Sequence, residues 1–292
     1  MSNMNGGVMK SQRARVGAGY QPPALPFAQL PNPDSVLGRV YTASDVGPAP
    51  GIELIAAPGR WRPRGGRQLL AMRSNNPVTI QNTVATVADT LGPFPGGLVR
   101  AGMQLALEYK FGNAGIGTGP RTASSRIGTG ALRGAWHSSS SGSSSATSKG
   151  VALCWLDVLS DTDAAHVGGF NGPSISDGQV NGRTPQVDFS QAWSADITLV
   201  SANETAVNIT NATWSAGVAT YTATGHTLIT GDKDVVAGIT PSGFNQTNIV
   251  TRIDNNTFTM PLAANPGAYT SGGTSSRISN MISQSYALWL VG

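Results

Sequence analysis

The chain of 292 residues holds a single cysteine, Cys154. One thiol excludes an intrachain disulfide framework, so burial and hydrogen bonding alone must hold the fold. Cys154 sits inside the apolar run VALCWLDVL and reads as a small core residue. Charge is also scarce, at 12% of residues, and only three glutamates occur, Glu53, Glu108 and Glu204. Long amphipathic helical patterns are missing. No apolar run is long enough to span a bilayer as a helix, so membrane insertion is not expected. The three histidines, His137, His166 and His226, lack metal-ligand spacing, and with one cysteine no zinc site is implied. The acidic run DVLSDTD (Asp157, Asp161, Asp163) lacks the sharp-turn glycine and further oxygens of a calcium loop and reads as a solvated loop. Phosphate-binding loops, GxSxG elbows and HExxH helices are absent. No pair of carboxylates stands out as a hydrolytic couple. The expectation is a non-enzyme with no catalytic residue, no metal and no cofactor. Met1–Tyr20 lacks the apolar core of a secretory signal, which points to synthesis in a cytoplasm.

What the chain does have is glycine, 37 residues of it, with abundant serine, threonine and asparagine. Short alternating runs between glycine and proline turns give an all-β reading. Apolar residues make up 39%, enough to bury a core. The length fits two or three domains. Charge is unevenly placed. Residues 1–150 carry fifteen basic and five acidic side chains, the remainder four and ten. The basic residues are scattered through turns with no nucleic-acid-binding motif, so docking to an acidic protein surface, or plain solvation, is favoured and nucleic acid is not.

The stretch Val218–Met260 is the most readable. Val218–Thr224, Asp234–Ile239, Asn248–Ile253 and Thr257–Met260 read as strands. Gly231-Asp232, Pro241-Ser242-Gly243 and Asp254-Asn255-Asn256 read as the turns between them. The run through Gly225-His226, Gly231-Asp232, TPSGFN (Thr240–Asn245), Ile253-Asp254 and NTFT (Asn256–Thr259) resembles a small β domain that recurs as an insert in virion proteins of tailed bacteriophages. The resemblance covers about a quarter of the chain. It implies that residues 207–277 interrupt a host domain made of 78–206 and 278–292. The C-terminal run ending YALWLV needs a backbone partner. The economical expectation is that it pairs into the sheet containing Asp188–Val200.

Leu91-Gly92-Pro93, Gly96-Gly97 and the strand Leu98–Phe111 resemble the strand pair opening a compact antiparallel sandwich in phage fibre proteins. On that strand Met103, Leu105, Leu107 and Tyr109 form one face; Gln104, Ala106, Glu108 and Lys110 form the other. Arg121–Gly134 reads as a polar strand, Ser138–Lys149 as a low-complexity hairpin tip, Gly150–Leu159 as an apolar strand and Asp161–Arg183 as a loop region. Residues 36–77 read as a small β meander, in which Trp61-Arg62-Pro63 ahead of Gly65-Gly66 again resembles the phage fibre pattern. Residues 1–35, with five prolines between Pro22 and Pro33, read as an extended arm. Arg13, Arg15, Tyr20, Leu25, Phe27 and Leu30 are its candidate docking contacts.

The expectation is an all-β antiparallel sandwich interrupted by a small inserted domain. The resemblance implies a structural virion protein, tail fibre or tail-associated, docking to other virion proteins through its arm and assembling as a homo-trimer. The alternatives are a capsid decoration protein, a module binding host surface glycan, and a depolymerase with two carboxylates about 5–10 Å apart in a cleft. Of the six tryptophans, Trp136 and Trp214 are the candidates for exposed glycan contacts.

Overall fold

The computed structural model describes residues 21–74, 76–114, 121–130, 134–141, 149–171, 176–178 and 187–292. Every regular element longer than one helical turn is a strand, and the chain is all-β. The first four strands, β1 (Ala24–Leu25), β2 (Val40–Ala43), β3 (Ile52–Ala57) and β4 (Arg60–Pro63), form a small sheet in sequence order. β1 joins it in parallel and the others are antiparallel. Short 3-10 turns at Phe27–Gln29 and Pro33–Val36 carry the proline-rich segment past it, with Asn32 capping the second through a bond from the Asp34 amide.

The next ten strands are β5 (Arg67–Arg73), β6 (Val78–Ile80), β7 (Thr86–Phe94), β8 (Gln104–Ala114), β9 (Arg121–Thr129), β10 (Gly134–Ser141), β11 (Lys149–Ser160), β12 (Asp163–Asn171), β13 (Ser176–Gly178) and β14 (Trp193–Val200). The following eight are β15 (Val207–Asn208), β16 (Asn211–Ser215), β17 (Val218–Thr222), β18 (Lys233–Thr240), β19 (Gln246–Ile249), β20 (Thr251–Arg252), β21 (Thr257–Pro261) and β22 (Ser271–Arg277). β23 (Asn280–Val291) ends the series.

Two sheets form the sandwich. One has the order β13-β10-β9-β14-β7; the other is β12-β11-β8-β23-β5, with β6 also on β23. The two-residue period explains the packing. On β8, Leu105, Leu107, Tyr109 and Phe111 are buried, with Met103 just ahead of the strand, while Gln104 and Glu108 are half-exposed and Lys110 exposed; Ala106, expected on the outer face, is buried as well. β11 buries Ala152, Cys154, Leu156 and Val158 from the same sheet. β14 and β9 answer from the other sheet with Trp193, Ala195, Ile197, Leu199, Ala123 and Ile127.

β23 departs from expectation. It pairs with β8 along its whole length, and with β5 and β6 on its other side, and not with β14. β14 already has β7 and β9 as neighbours, so its hydrogen-bonding edges are filled. Met281, Leu288 and Leu290 instead join the core that β14 covers from the facing sheet. β5, which falls in the predicted meander, is therefore an edge strand of the sandwich. The meander's Ala43, Ile52, Leu54, Ala56 and Trp61 share one core with it. β12 lies in a stretch read as loop. Its sequence DAAHVGGFN has little strand signal of its own, and pairing to apolar β11 draws it into the sheet. The Arg121–Gly134 strand ends at Thr129, and β10 begins at Gly134 to pair back on β9. The rest of the predicted Ser-rich tip, residues 142–148, lies outside the described residues.

Residues 207–277 form a second body. Its sheets are β15-β22-β18-β19 and β16-β17-β21-β20, closed around Ile209, Ala219, Tyr221, Leu228, Phe244, Val250, Phe258 and Met260. The expected turns are present and so are the expected strands, except that Asn248–Ile253 breaks at Val250, so that β19 pairs with β18 in one sheet and β20 with β21 in the other. β22 was not among the expected strands, since SGGTSSR is a Gly/Ser stretch with little strand signal. Its Gly273 sits at φ +111°, and a Cβ there would lie 2.3 Å from Ile239 Cγ1. Only glycine lets the two strands approach this closely.

Candidate functional site

Of the candidate docking residues, Arg13, Arg15 and Tyr20 lie outside the described residues. Leu25 sits in β1, half-buried, paired to Ala43. Phe27 and Leu30 pack against the sandwich core, and the Phe27 amide donates to Asp45 Oδ1 at 2.6 Å. Their apolar surface is thus partly spent on this chain's own fold. Phe27 and Leu30 also line a cleft of about 450 Å³ with Asp34, Arg60, Trp61 and Arg100. Its two guanidinium groups are engaged. Arg60 Nη1 donates to the Ala101 carbonyl at 2.7 Å, and Arg100 Nη1 donates to Asp161 Oδ2 at 2.6 Å. Asp34 is the one carboxylate in the lining, and it accepts from the Gly59 amide. The cleft thus presents apolar side chains, two engaged guanidinium groups and a single carboxylate.

Trp136 corrects an expectation. It is 0% exposed on β10 and belongs to the sandwich core, so it offers no ring to a glycan. The flanking serine run suggested exposure, but β10 turns this ring into the core. Trp214 is half-buried against the core of the second body, and its Nε1 donates to the Leu262 carbonyl at 2.7 Å.

The densest polar chemistry lies elsewhere, where the chain passes between the two bodies. Two segments form this neck, 201–206 outbound and 277–280 returning. They run antiparallel, with a bridge between Asn203 and Ile278 and bonds from the Glu204 amide to the Arg277 carbonyl (2.7 Å) and from the Ser279 amide to the Ala202 carbonyl (2.9 Å). Arg277 Nη2 donates to Glu204 Oε1 at 2.7 Å and Nη1 to Asp232 Oδ2 at 3.3 Å, with all three side chains at or below 11% exposure. Asp232 Oδ2 also accepts from the Ile229 amide. From the sandwich, Arg121, itself 1% exposed, donates through Nε to Ser279 Oγ at 2.8 Å, and Ser279 Oγ donates to the Ala202 carbonyl. Gln81, between β6 and β7, bridges the gap with its amide: Nε2 donates to the Ile278 carbonyl and Oε1 accepts the Lys233 amide, both at 3.0 Å.

One turn further into the second body, Asp234 is fully buried and its Oδ2 accepts from Ser275 Oγ at 2.8 Å. Burial pushes its pKa up to about 7, against the hydrogen bonds and Arg277, with Asp232 adding repulsion. Burial lowers the pKa of Arg121, which Glu204 counteracts; for Arg277 burial also acts downward, but Glu204 and Asp232 together outweigh it and the pKa is raised. Burial also lowers the pKa of His226, which lies edge-on to Phe258, and pushes the Cys154 thiol up to about 12. Both therefore sit uncharged at neutral pH as core residues. Sequence reasoning missed the neck cluster. The available signal was Glu204 just before the inserted segment and Arg277 at its end, opposite charges bracketing a body of low charge.

Among the described residues no group of His, Cys, Asp and Glu could hold a metal ion, and no helix is long and apolar enough to cross a membrane. Comparison with protein-family models, curated proteins and solved structures finds no match.

Proposed function

We propose that the chain is a structural component of a tailed-bacteriophage particle, a tail-fibre or tail-associated protein that acts by binding rather than catalysis. The observation carrying this reading is the interruption of a β-sandwich, between β14 and β23, by a body with its own core. That is the arrangement implied by the resemblance of Val218–Met260 to phage inserts. A scaffold presenting a second β body has a mechanical purpose that needs no cofactor. The docking partner is another virion protein, reached through residues 1–20 and the cleft beside Phe27 and Leu30. Self-association as a trimer would multiply weak contacts into avidity. Glycan binding through Trp136 is not carried forward, since its ring is enclosed.

The test is mass in solution by light scattering, for the whole chain and for the chain lacking residues 1–20. This cut spares Leu25, Phe27 and Leu30, whose loss would strip the core. A trimer in both forms supports the fibre reading. A monomer in both favours a capsid decoration subunit ordered by its neighbours. Gold-labelled antibody on purified particles then separates tail from capsid, and absence of label from every particle sinks the virion reading.

A further inference from the structure

We propose that the neck is a clasp that fixes the inserted body in one orientation on the sandwich, with Arg277 as its pin and Gln81 as the rung that spans the joint. Two backbone segments alone would make a flexible tether. Four features argue against a tether here.

The joint has three levels, each with its own fastening. The neck is held to the sandwich by Arg121 on Ser279, and by Ser201, whose amide donates to the Asn82 carbonyl at 2.8 Å and whose hydroxyl donates to the Ile80 carbonyl at 3.1 Å. The second body is held to the neck by the Arg277–Asp232 pair and by the Ile278 amide donating to the Lys233 carbonyl at 2.8 Å. The second body is held directly to the sandwich by Gln81 on the Lys233 amide. The two arginines and the two acids that face them, Glu204 and Asp232, are shielded from water, so each charge is stabilised by its partners. Swinging the body away would separate Arg277 from Asp232 and uncover Arg121. Removing one partner of a buried ion pair costs far more than breaking an exposed one. The side chain of Gln81 stands in for a missing strand at the start of β18, satisfying a backbone amide and a backbone carbonyl that rotation would strip. Consequently the inserted body is aimed: a force or a ligand acting on it is transmitted to β23, the strand that leaves the clasp and runs through the interior of a sandwich sheet between β8 and β5.

The experiment uses the full chain carrying Lys110→Cys on the sandwich and Asn255→Cys on the inserted body, both at exposed positions. Cys154 is fully buried and does not compete for label. Spin labels report the distance distribution between the two bodies by pulsed electron resonance. The parent chain gives one narrow peak. Gln81→Ala and Arg277→Met each broaden it about twofold or more, the double variant most. The methyl resonance of Met260, buried in the second core, checks that this body stays folded. A broad distribution in the parent overturns the proposal, as does a narrow one retained in both variants. If Arg277→Met unfolds the inserted body, Gln81→Ala decides, because Gln81 belongs to the sandwich and lies outside the second core.

Discussion

The sandwich and the inserted body are both pairs of antiparallel sheets, yet they close over very different distances along the chain. In the inserted body β16, β17 and β21 pair with partners at most a few dozen residues away, and β19 returns directly on β18. In the sandwich, β23 meets β8 in the register Trp289 to Ala106 and Leu288 to Leu107, across about 180 residues of chain. The cores differ in the same sense. The inserted body closes on three aromatics within one neighbourhood, Tyr221 stacked on Phe258 at 5.2 Å and edge-on to Phe244 at 6.2 Å. The sandwich closes on Trp193, which touches Phe94 at the end of β7, about a hundred residues earlier, as well as Phe189 just ahead of its own strand. Short loops cost little entropy to close, while long ones are recovered only when many contacts form together. The inserted body is therefore expected to fold on its own, and the sandwich only as a whole.

The sharpest way to break that contrast is to delete residues 280–292. This removes the interior strand that joins β8 to β5 and β6, and the sandwich is expected to lose its whole folding free energy, of the order of 5–15 kcal/mol. The inserted body is expected to keep its own dispersed Met260 and Ala219 methyl signals in the NMR spectrum. Loss of both bodies together would show that the inserted body depends on the sandwich. Next in size are core truncations. Phe258→Ala and Trp193→Ala should each cost about 3–5 kcal/mol, but in separate denaturation transitions, the first in the inserted body and the second in the sandwich. A single shared transition for both would erase the distinction.

Asp234 sharpens it further. Its pKa rises from 3.8 to about 7 on folding, so the folded state holds a proton that the unfolded chain releases. Below about pH 4 the carboxyl is neutral in both states and costs nothing extra. The penalty builds between about pH 4 and pH 7 and is complete above 7. Asp234→Asn should therefore leave the inserted body nearly unchanged at pH 3 and stabilise it by roughly 4 kcal/mol at pH 8, read as a rise in its own melting temperature. An equal shift at both pH values would contradict the burial argument. Smallest of all is Arg64→Ala, which removes an exposed pair with Glu53 at 2.9 Å. It should change the sandwich by less than about 1 kcal/mol and vanish in high salt.

The same difference in range governs what was legible in the chain. The turns at Gly231-Asp232, Pro241–Gly243 and Asp254–Asn256 and the strands between them could be read because each turn residue acts on its immediate neighbours. The in-and-out alternation of β8 was equally plain. The partner of β23 was not, since alternation says which face of a strand is buried but not which strand lies beside it. β12 and β22 were hidden because their glycines and small residues carry no propensity, and their neighbours supply the ladder. The neck cluster was hidden for a related reason. Gln81, Arg121, Glu204, Asp232 and Arg277 are ordinary polar residues until five distant segments bring them together. Trp136 shows the converse error: a polar serine neighbourhood does not imply that an aromatic within it faces water.

The position of β23 also sets an order of events during synthesis. When β14 leaves the ribosome, β8 has its β11 partner but its other edge is open, and the apolar face of the sandwich has no complete second wall. About eighty residues must then be translated before β23 arrives, and those residues contain the whole inserted body. At a translation rate of about 5–20 residues per second, that is a wait of several seconds, in which a locally wired body folds first. The clasp halves at Glu204 and Arg277 meet as that body closes, delivering the chain back to the open edge of β8. The inserted body thus acts during biogenesis as a folded spacer that returns the last strand to the place where it is needed.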